Sequence, residues 1–437
     1  MRIRQHNLIF VGMALGAGLG VLLAGRTDGL AGHIVSFADF FGTDVFIGAL
    51  KMIVAPLIFF SILAGIISLP TKGELWSIGW RTLLFYFVTT SIAVALGLLF
   101  VLTIRPGHQG DREGMRARWD AEQGGLSRQY AAREERIGEA KTKGAGETIR
   151  DNVRRVIMNP FQALSAANSL GIIFFAILLG IALMVVGEKG RPVLPVVEGV
   201  NAAIMTLTKW IMWAAPFFIF CLVTSLVAKQ GAEVFRTLFW YVLTVLVAIT
   251  CHVGMLLGIV WAVGRRSPLE FLRGIRRAWA VAFATRSSAA TLPVTIDCVE
   301  NELKVPRKVA DFVLPIGATV NMDGTALYEG VAVIFLIQLF GGMEGAMIEL
   351  SPVITVLVFL TAVLASIGAA AVPDAGLITM VLVANAVGLD PKYITLIFAV
   401  DAFLDMFRTS TNVMGDSVGA VVVARLEEAR LKRGAAA

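Results

Sequence analysis

From Leu238 to Val263 the chain runs without a single Asp, Glu, Lys or Arg. A helix of about 20 apolar residues crosses a bilayer core; Asn7 to Gly25 and Leu83 to Ile104 are runs of the same kind, and Phe46 to Leu69 is another, broken only by Lys51. Of the 437 residues, 57% are hydrophobic and only 16% charged, whereas soluble domains sit near half apolar and a quarter charged. The chain reads as an all-α polytopic membrane protein. Its first run follows Met1-Arg2-Ile3-Arg4 but is long and lacks a small-residue cleavage site, so it reads as a retained span.

Charge sets the expected orientation. Basic clusters recur at Arg2 to Arg4, Arg265 and Arg266, Arg273 to Arg277, Lys304 to Lys308 and Arg425 to Arg433, while the loop with Glu344 and Glu349 is acidic. The excess of Lys and Arg in cytoplasmic loops places both termini and the Arg265 to Arg277 loop in the cytoplasm. The net charge of +6 fits such loops better than nucleic-acid binding. Cys221, Cys251 and Cys298 lie far apart in apolar segments without metal-ligand spacing and read as packing residues.

Two apolar segments are poor material for a straight span. Ala278 to Thr295 is interrupted by Thr285-Arg286-Ser287-Ser288 and by Pro293. Val353 to Val387 is interrupted by Ser366-Ile367-Gly368, then small residues, then Val372-Pro373-Asp374-Ala375-Gly376. Irregular backbone at membrane depth survives only inside protein or beside a cavity. Two broken segments in matching positions point to a transporter binding site. Each is followed by a long helix carrying polar residues, a layout of inverted repeats. The stretch from Pro106 to Asn159 is charged and mixed in sign, and reads as an extracytoplasmic insertion of exposed helix and linker.

The last helix carries Asp401, Asp405, Arg408, Asn412 and Asp416, separated by four, three, four and four positions. At 3.6 residues per turn these share one face, with Thr409 beside them. A charge at mid-bilayer costs about 2.5–3.5 kcal/mol, so such residues either pair or line a path. A self-satisfied network of Arg408 with Asp401 or Asp405 is the plainer alternative. One arginine does not neutralise three aspartates, which leaves room for a hard cation on oxygen ligands. A second polar island, Gly317 to Thr325, breaks the apolar run from Phe312 to Leu339. Asn321, Asp323 and freed backbone carbonyls there suit Na⁺, or Asn321 and Asp323 brace two helices. Glu329, one turn on, is either a protonatable carrier or the wall of a wet cavity. At the hairpin tips, Ser287, Ser288 and Gly376 lie where helix ends offer unpaired N–H groups to a carboxylate. Arg286 is a tip residue positioned to pair with Asp405 or a neighbour.

With these motifs in order, the chain resembles the dicarboxylate/amino acid:cation symporters, which include archaeal aspartate transporters and animal excitatory amino acid transporters. The resemblance rests on Thr285 to Thr295, Asn321-Met322-Asp323-Gly324-Thr325, Ser366 through Pro373 and Asp401 to Asp416. It is supported by Leu50 to Leu57, Asn159-Pro160-Phe161 and Phe174 to Gly180, and covers nearly everything except 106–158. It implies eight transmembrane helices plus two re-entrant hairpins, a homotrimer in the cell (plasma or inner) membrane, and elevator-type alternating access. The implied scaffold is 1–74 and 159–232, the transport domain 75–105 and 233–428, the insertion 106–158 and the cytoplasmic tail 429–437.

The resemblance also implies residue roles. Arg408 would hold the side-chain carboxylate of an acidic amino acid, helped by Thr325 and the Gly376 backbone. Asp405 would take the α-amino group with Thr409 and the carbonyls of Arg286 and Val372. Ser288, beside Ser287, and Asn412 would hold the α-carboxylate. One Na⁺ would use Asp416, Asn412 and the carbonyls of Gly317 and Asn321. A second would use Thr319 and the carbonyls of Met322, Ser366, Ile367 and Ala369, and a third Thr90, Ser91, Asn321 and Asp323. Glu329 matches animal members, in which that glutamate is tied to proton coupling. Departures include Ala289 where a third serine is common, Met406 where animal members carry arginine, and Asp374 in the second hairpin.

In the resembled family, C4-dicarboxylate carriers lack the carboxylate at the Asp405 position, neutral amino acid members lack the arginine at the Arg408 position, and sodium-independent relatives tend to have Asn where Asp416 stands. The resemblance therefore implies an acidic amino acid substrate and favours sodium over proton coupling. Aspartate and glutamate stay equally open. An intramembrane serine hydrolase at Ser287 or Ser288 lacks a base, since nothing brings His6, His33, His108 or His252 to those serines. No enzyme activity is expected.

Overall fold

The computed structural model describes residues 5–24, 29–67, 72–109, 154, 156–166, 168–190, 192–230, 238–341, 348–366 and 375–436. Among these, every regular element is helical. Four stretches are long and apolar enough to cross a membrane: Trp76–His108, Gly171–Lys189, Phe239–Ala262 and Arg307–Phe340. Trp76, Trp80, Trp210, Trp213, Leu15 and Leu22 are exposed. Soluble monomers seldom carry apolar surface on this scale, and a multi-pass membrane protein turns such surface to lipid.

The first group of helices is α1 (Gln5–Leu23), α2 (Gly29–Asp39), α3 (Gly48–Ile67), α5 (Pro160–Ser165), α6 (Ser169–Val186) and α7 (Val193–Gln230). α1 lies along α7, and α3 packs on α6 and α7. Glycines four apart make the first contact possible. A Cβ on Gly12 would stand 2.5 Å from the Pro216 carbonyl oxygen, and one on Gly16 2.5 Å from that of Phe220. Small residues at this spacing let membrane helices approach closely where no hydrophobic force draws them together. Between α2 and α3 the chain winds as a π-helix, Phe40–Ile47. Asp39 anchors its start by accepting a hydrogen bond from the Ser225 hydroxyl of α7 at 2.7 Å. The apolar run expected to begin at Phe46 therefore opens in π geometry.

The second group holds α4 (Lys72–Ile104), α8 (Phe239–Ala262), α9 (Pro268–Thr285), α10 (Ser288–Asp297), α11 (Arg307–Val320), α12 (Asp323–Phe340), α13 (Pro352–Ser366), α14 (Ala375–Ala386) and α15 (Phe398–Ala436). α12 is buried along its whole length, enclosed by α4, α8, α13, α14 and α15. A helix apolar on all sides belongs in such a core. Leu327, Val331 and Phe335 pack there with Val94, Leu98, Tyr241, Val245, Leu377 and Val381. A second core joins α3, α11 and α15 through Ile58, Ile62, Val313, Leu314, Val418 and Val422, so the two groups meet at α3.

The interruptions at Arg286 and at Asn321 have local causes. Arg286 takes left-handed backbone (φ 55°, ψ 32°) and ends α9. Ser287 then caps α10, its hydroxyl accepting from the Ala290 N–H at 3.1 Å, as N-cap serines do. The turn is fastened lower down by the Arg277–Asp297 pair. Pro293, expected to break this segment, instead sits inside α10. Asn321 (φ −96°, ψ 78°) and Met322 (φ −104°, ψ 49°) leave helical geometry and divide α11 from α12. The tip of the second hairpin lies outside the described residues. So do most of the 106–158 insertion and the positions of Ile367, Ala369, Val372 and Asp374. At the C-terminus α15 continues to Ala436, carrying Glu428 with Arg425 at 3.0 Å and Lys432 at 2.6 Å.

Candidate functional site

The polar face of α15 and the break before α12 meet in the middle of the second group. Gly324 makes the approach possible: a Cβ there would lie 2.5 Å from the Arg408 carbonyl oxygen and 2.9 Å from its Cα. The helix termini freed by the break are then satisfied across the gap. Asn412 Oδ1 accepts from the Gly324 N–H at 2.7 Å, and its amide donates to the Thr325 hydroxyl at 3.1 Å. Free N–H groups at a helix start need such partners.

Arg408 is 1% exposed and sits between two carboxylates of its own helix. Its Nη1 donates to Asp401 Oδ1 at 2.8 Å, and its Nη2 lies 2.9 Å from Asp405 Oδ1. Thr409 donates to the same Asp405 oxygen at 3.2 Å. The guanidinium carbon stands 3.9 Å over the Tyr328 ring of α12, a separation suited to cation–π attraction. Gly376, just after the start of α14, has its Cα–H direction turned to the same group: a Cβ there would be 3.4 Å from Arg408 Nη1 and 3.2 Å from Thr325 Cγ2. Arg286 stands at the other hairpin tip, next to the buried Ser287 and Ser288. Arg408, Asp405, Thr409, Asn412, Thr325 and Gly376 thus form one constellation built from α12, α14 and α15.

An oxygen-rich cluster lies one to two turns further along. Asp416 Oδ1 accepts from the Asn321 amide at 2.9 Å. Gly317 admits it, since a Cβ there would be 2.6 Å from that oxygen and 2.5 Å from the Tyr86 hydroxyl. Asp323 Oδ1 accepts from Thr90 at 2.7 Å and from Thr89 at 3.3 Å. Asp323 Oδ2 faces His252 Nε2 at 3.0 Å. Asn321, Asp323 and Asp416 are buried. Ser91 is not drawn in; its hydroxyl donates to the Phe87 carbonyl at 2.7 Å. Thr319 and Ser366 are buried, with hydroxyls given to the carbonyls of Ile316 (3.1 Å) and Val363 (2.9 Å). Glu329, fully buried, accepts from the Thr379 hydroxyl of α14.

A family model described as "Sodium:dicarboxylate symporter family" matches residues 6–426. The chain belongs to this family. It is 36% identical to excitatory amino acid transporter 2 of Mus musculus, over 97% of this chain and 79% of that protein. It is 35% identical to an excitatory amino acid transporter of Caenorhabditis elegans, over 98% and 89%. It is 34% identical to one of Onchocerca volvulus, over 98% and 91%.

The two clusters share structure. Asn412 accepts from the Gly324 N–H at the α12 start, and Asn321, three residues before Gly324, contacts Asp416. Five participants escaped the sequence reading: Tyr86, Thr89, His252, Tyr328 and Thr379. Each sits in an apolar run where its type is ordinary packing material. Only helix phase separates Thr89 from Ser91, and a nearly uniform apolar helix does not declare its phase.

Proposed function

We propose that the protein is a sodium-coupled symporter of acidic amino acids, a carrier and not an enzyme. The observation that carries this reading is the Arg408–Asp405 pair, 2.9 Å apart and buried at the meeting of α12, α14 and α15. An acidic amino acid brings one ammonium and two carboxylates. It parts the pair by offering its side-chain carboxylate to Arg408 and its ammonium to Asp405, so each buried charge exchanges one partner for another. Asp401 and Tyr328 keep Arg408 in place during the exchange. A C4-dicarboxylate offers Asp405 no cation and leaves it unpaired, which is costly in a dry site. A neutral amino acid draws Asp405 away and gives Arg408 no carboxylate in exchange, leaving it with Asp401 alone.

In this reading Thr325 and the Gly376 backbone assist Arg408, Thr409 and the hairpin carbonyls of Arg286 and Val372 assist Asp405, and Ser288 with Asn412 takes the α-carboxylate. Na⁺ is bound by Asp416, Asn412 and carbonyls of Gly317 and Asn321; by Thr319 with carbonyls of Met322, Ser366, Ile367 and Ala369; and by Asp323, Asn321 and Thr90. Ser91 belongs to this last set only if its hydroxyl turns away from Phe87. Carboxylate, amide, hydroxyl and carbonyl oxygens are the donors hard cations prefer. Because α12 begins at the sodium cluster and carries Thr325 in the cargo cluster, ordering one orders the other, and the resulting coupling is reciprocal. Eight spans with two hairpins, a homotrimer, a scaffold of 1–74 and 159–232, a moving domain of 75–105 and 233–428, and cytoplasmic termini in the cell membrane complete the proposal. The burial of Glu329 against Thr379 favours a second coupled ion, a proton carried by that carboxyl.

Uptake of labelled L-aspartate into proteoliposomes tests the reading. An inward Na⁺ gradient drives accumulation that L-glutamate competes with and succinate and serine do not. Succinate accumulation would overturn the role of Asp405, and uptake under a proton gradient alone would overturn that of Asp416.

A further inference from the structure

His252 belongs to none of the roles above, yet it is fully buried at the centre of α8 against the first residue of α12. Its Nε2 lies 3.0 Å from Asp323 Oδ2. The two oxygens of Asp323 are thereby given different surroundings. Oδ1 faces the hydroxyls of Thr90 and Thr89, and Thr89 is also 3.3 Å from Asn321 Oδ1. Oδ2 is turned the other way, onto the imidazole. Gly415 of α15 closes the remaining side, where a Cβ would come within 3.2 Å of Oδ2 and 2.7 Å of the Asn321 amide nitrogen.

The proton on the ring can be assigned. His252 Nδ1 is buried and has no hydrogen-bond partner among the described residues. A proton on Nδ1 would strand an N–H and set a bare Nε2 lone pair against a carboxylate oxygen. A proton on Nε2 donates to Asp323 and leaves only an unused acceptor at Nδ1, which is the smaller penalty. His252 is therefore a donor to Asp323 through Nε2.

We propose that His252 is a positioning residue for sodium: by holding Asp323 Oδ2 it aims Oδ1 at the cation space bounded by Thr89, Thr90 and Asn321. This rests on the reading that Asp323 is a sodium ligand. Rotation about the terminal bond of an aspartate is soft, and a carboxylate released from the imidazole spends less time in the coordinating orientation. Outer partners of this kind change cation affinity about 10–100-fold when removed from metal sites.

The test is sodium binding to the purified protein without amino acid, followed by thermal shift as NaCl replaces choline chloride, together with L-aspartate affinity at saturating sodium. His252→Leu raises the half-saturating sodium concentration about tenfold or more and leaves aspartate affinity at saturating sodium close to wild type. His252→Gln, which retains a side-chain N–H donor, recovers most of the loss. Should the leucine variant not fold, His252→Met provides the same comparison. Unchanged sodium dependence in the apolar variants overturns the proposal, as does an equal loss in both Gln and apolar variants. Asp323→Asn separates the two levels: if it leaves sodium dependence unchanged, the ligand role of Asp323 itself fails; if it raises the requirement while His252→Leu does not, only the role of His252 fails.

Discussion

Arg408 is held to Asp401 by a 2.8 Å contact across two turns of one helix, with both side chains withdrawn from solvent. The second oxygen of Asp401 has no hydrogen-bond partner among the described residues, so this carboxylate serves the arginine. Breaking a buried pair from one side is costly when it strands the other charge; here Asp405 stays on Arg408 and limits the loss. Asp401→Asn is expected to lower the thermal midpoint in detergent and to let Arg408 settle more firmly on Asp405. L-aspartate affinity then falls, which isothermal titration at fixed sodium measures.

Arg408→Ala removes the group assigned to the side-chain carboxylate and frees Asp405 for an ammonium. Charged hydrogen bonds contribute about 1.5–3 kcal/mol each, so aspartate affinity is expected to fall by about 100-fold or more. Serine, ineffective against the native protein, becomes a competitor of residual uptake. A variant that still prefers aspartate to serine would contradict the assignment.

Two glycines test the contact between α12 and α15. Gly324→Ala places a methyl group where the Arg408 backbone stands, 2.5 Å from its oxygen. Overpacking of this kind costs about 1–3 kcal/mol, and both sodium and aspartate affinities decline because both clusters hang on this contact. Gly258 of α8 has nothing within 4 Å of its Cβ direction. Gly258→Ala is expected to be neutral or to stabilise by up to about 1 kcal/mol, read from the thermal midpoint in the same detergent.

Glu329→Gln keeps the shape of a buried side chain that meets Thr379 and removes its ability to carry a proton. Sodium-driven aspartate uptake is expected to persist, while stimulation by an inward proton gradient disappears. Equal stimulation in wild type and variant would return Glu329 to a structural role.

Much of this architecture was legible because polar residues at membrane depth are costly and stand out. Asn321, Asp323 and Gly324 announced the break between α11 and α12, and Arg286 with Ser287 announced the first hairpin turn. The four-three-four-four spacing from Asp401 to Asp416 put five side chains on one face; Arg408 and Asn412 meet α12, Asp416 meets Asn321 just before it, and Asp401 and Asp405 bind Arg408. Pro293 misled: it is the sixth residue of α10, where an N–H would have bonded the Ala289 carbonyl, and the helix continues past it with that one bond missing. The π-helix at Phe40–Ile47 left no trace in sequence, since its causes are the Asp39–Ser225 bond and the close packing of Gly42 on Leu222. His252 was legible only as one of four histidines; its partner lies 71 positions away.

The central claim is that sodium and an acidic amino acid bind as one coupled set. The most direct measurement is the equilibrium affinity of the purified protein for labelled L-aspartate as NaCl is titrated at constant ionic strength with choline chloride. The account predicts that affinity rises steeply with sodium and that Asp416→Asn flattens the dependence. Aspartate binding of the same strength in choline as in sodium would contradict it.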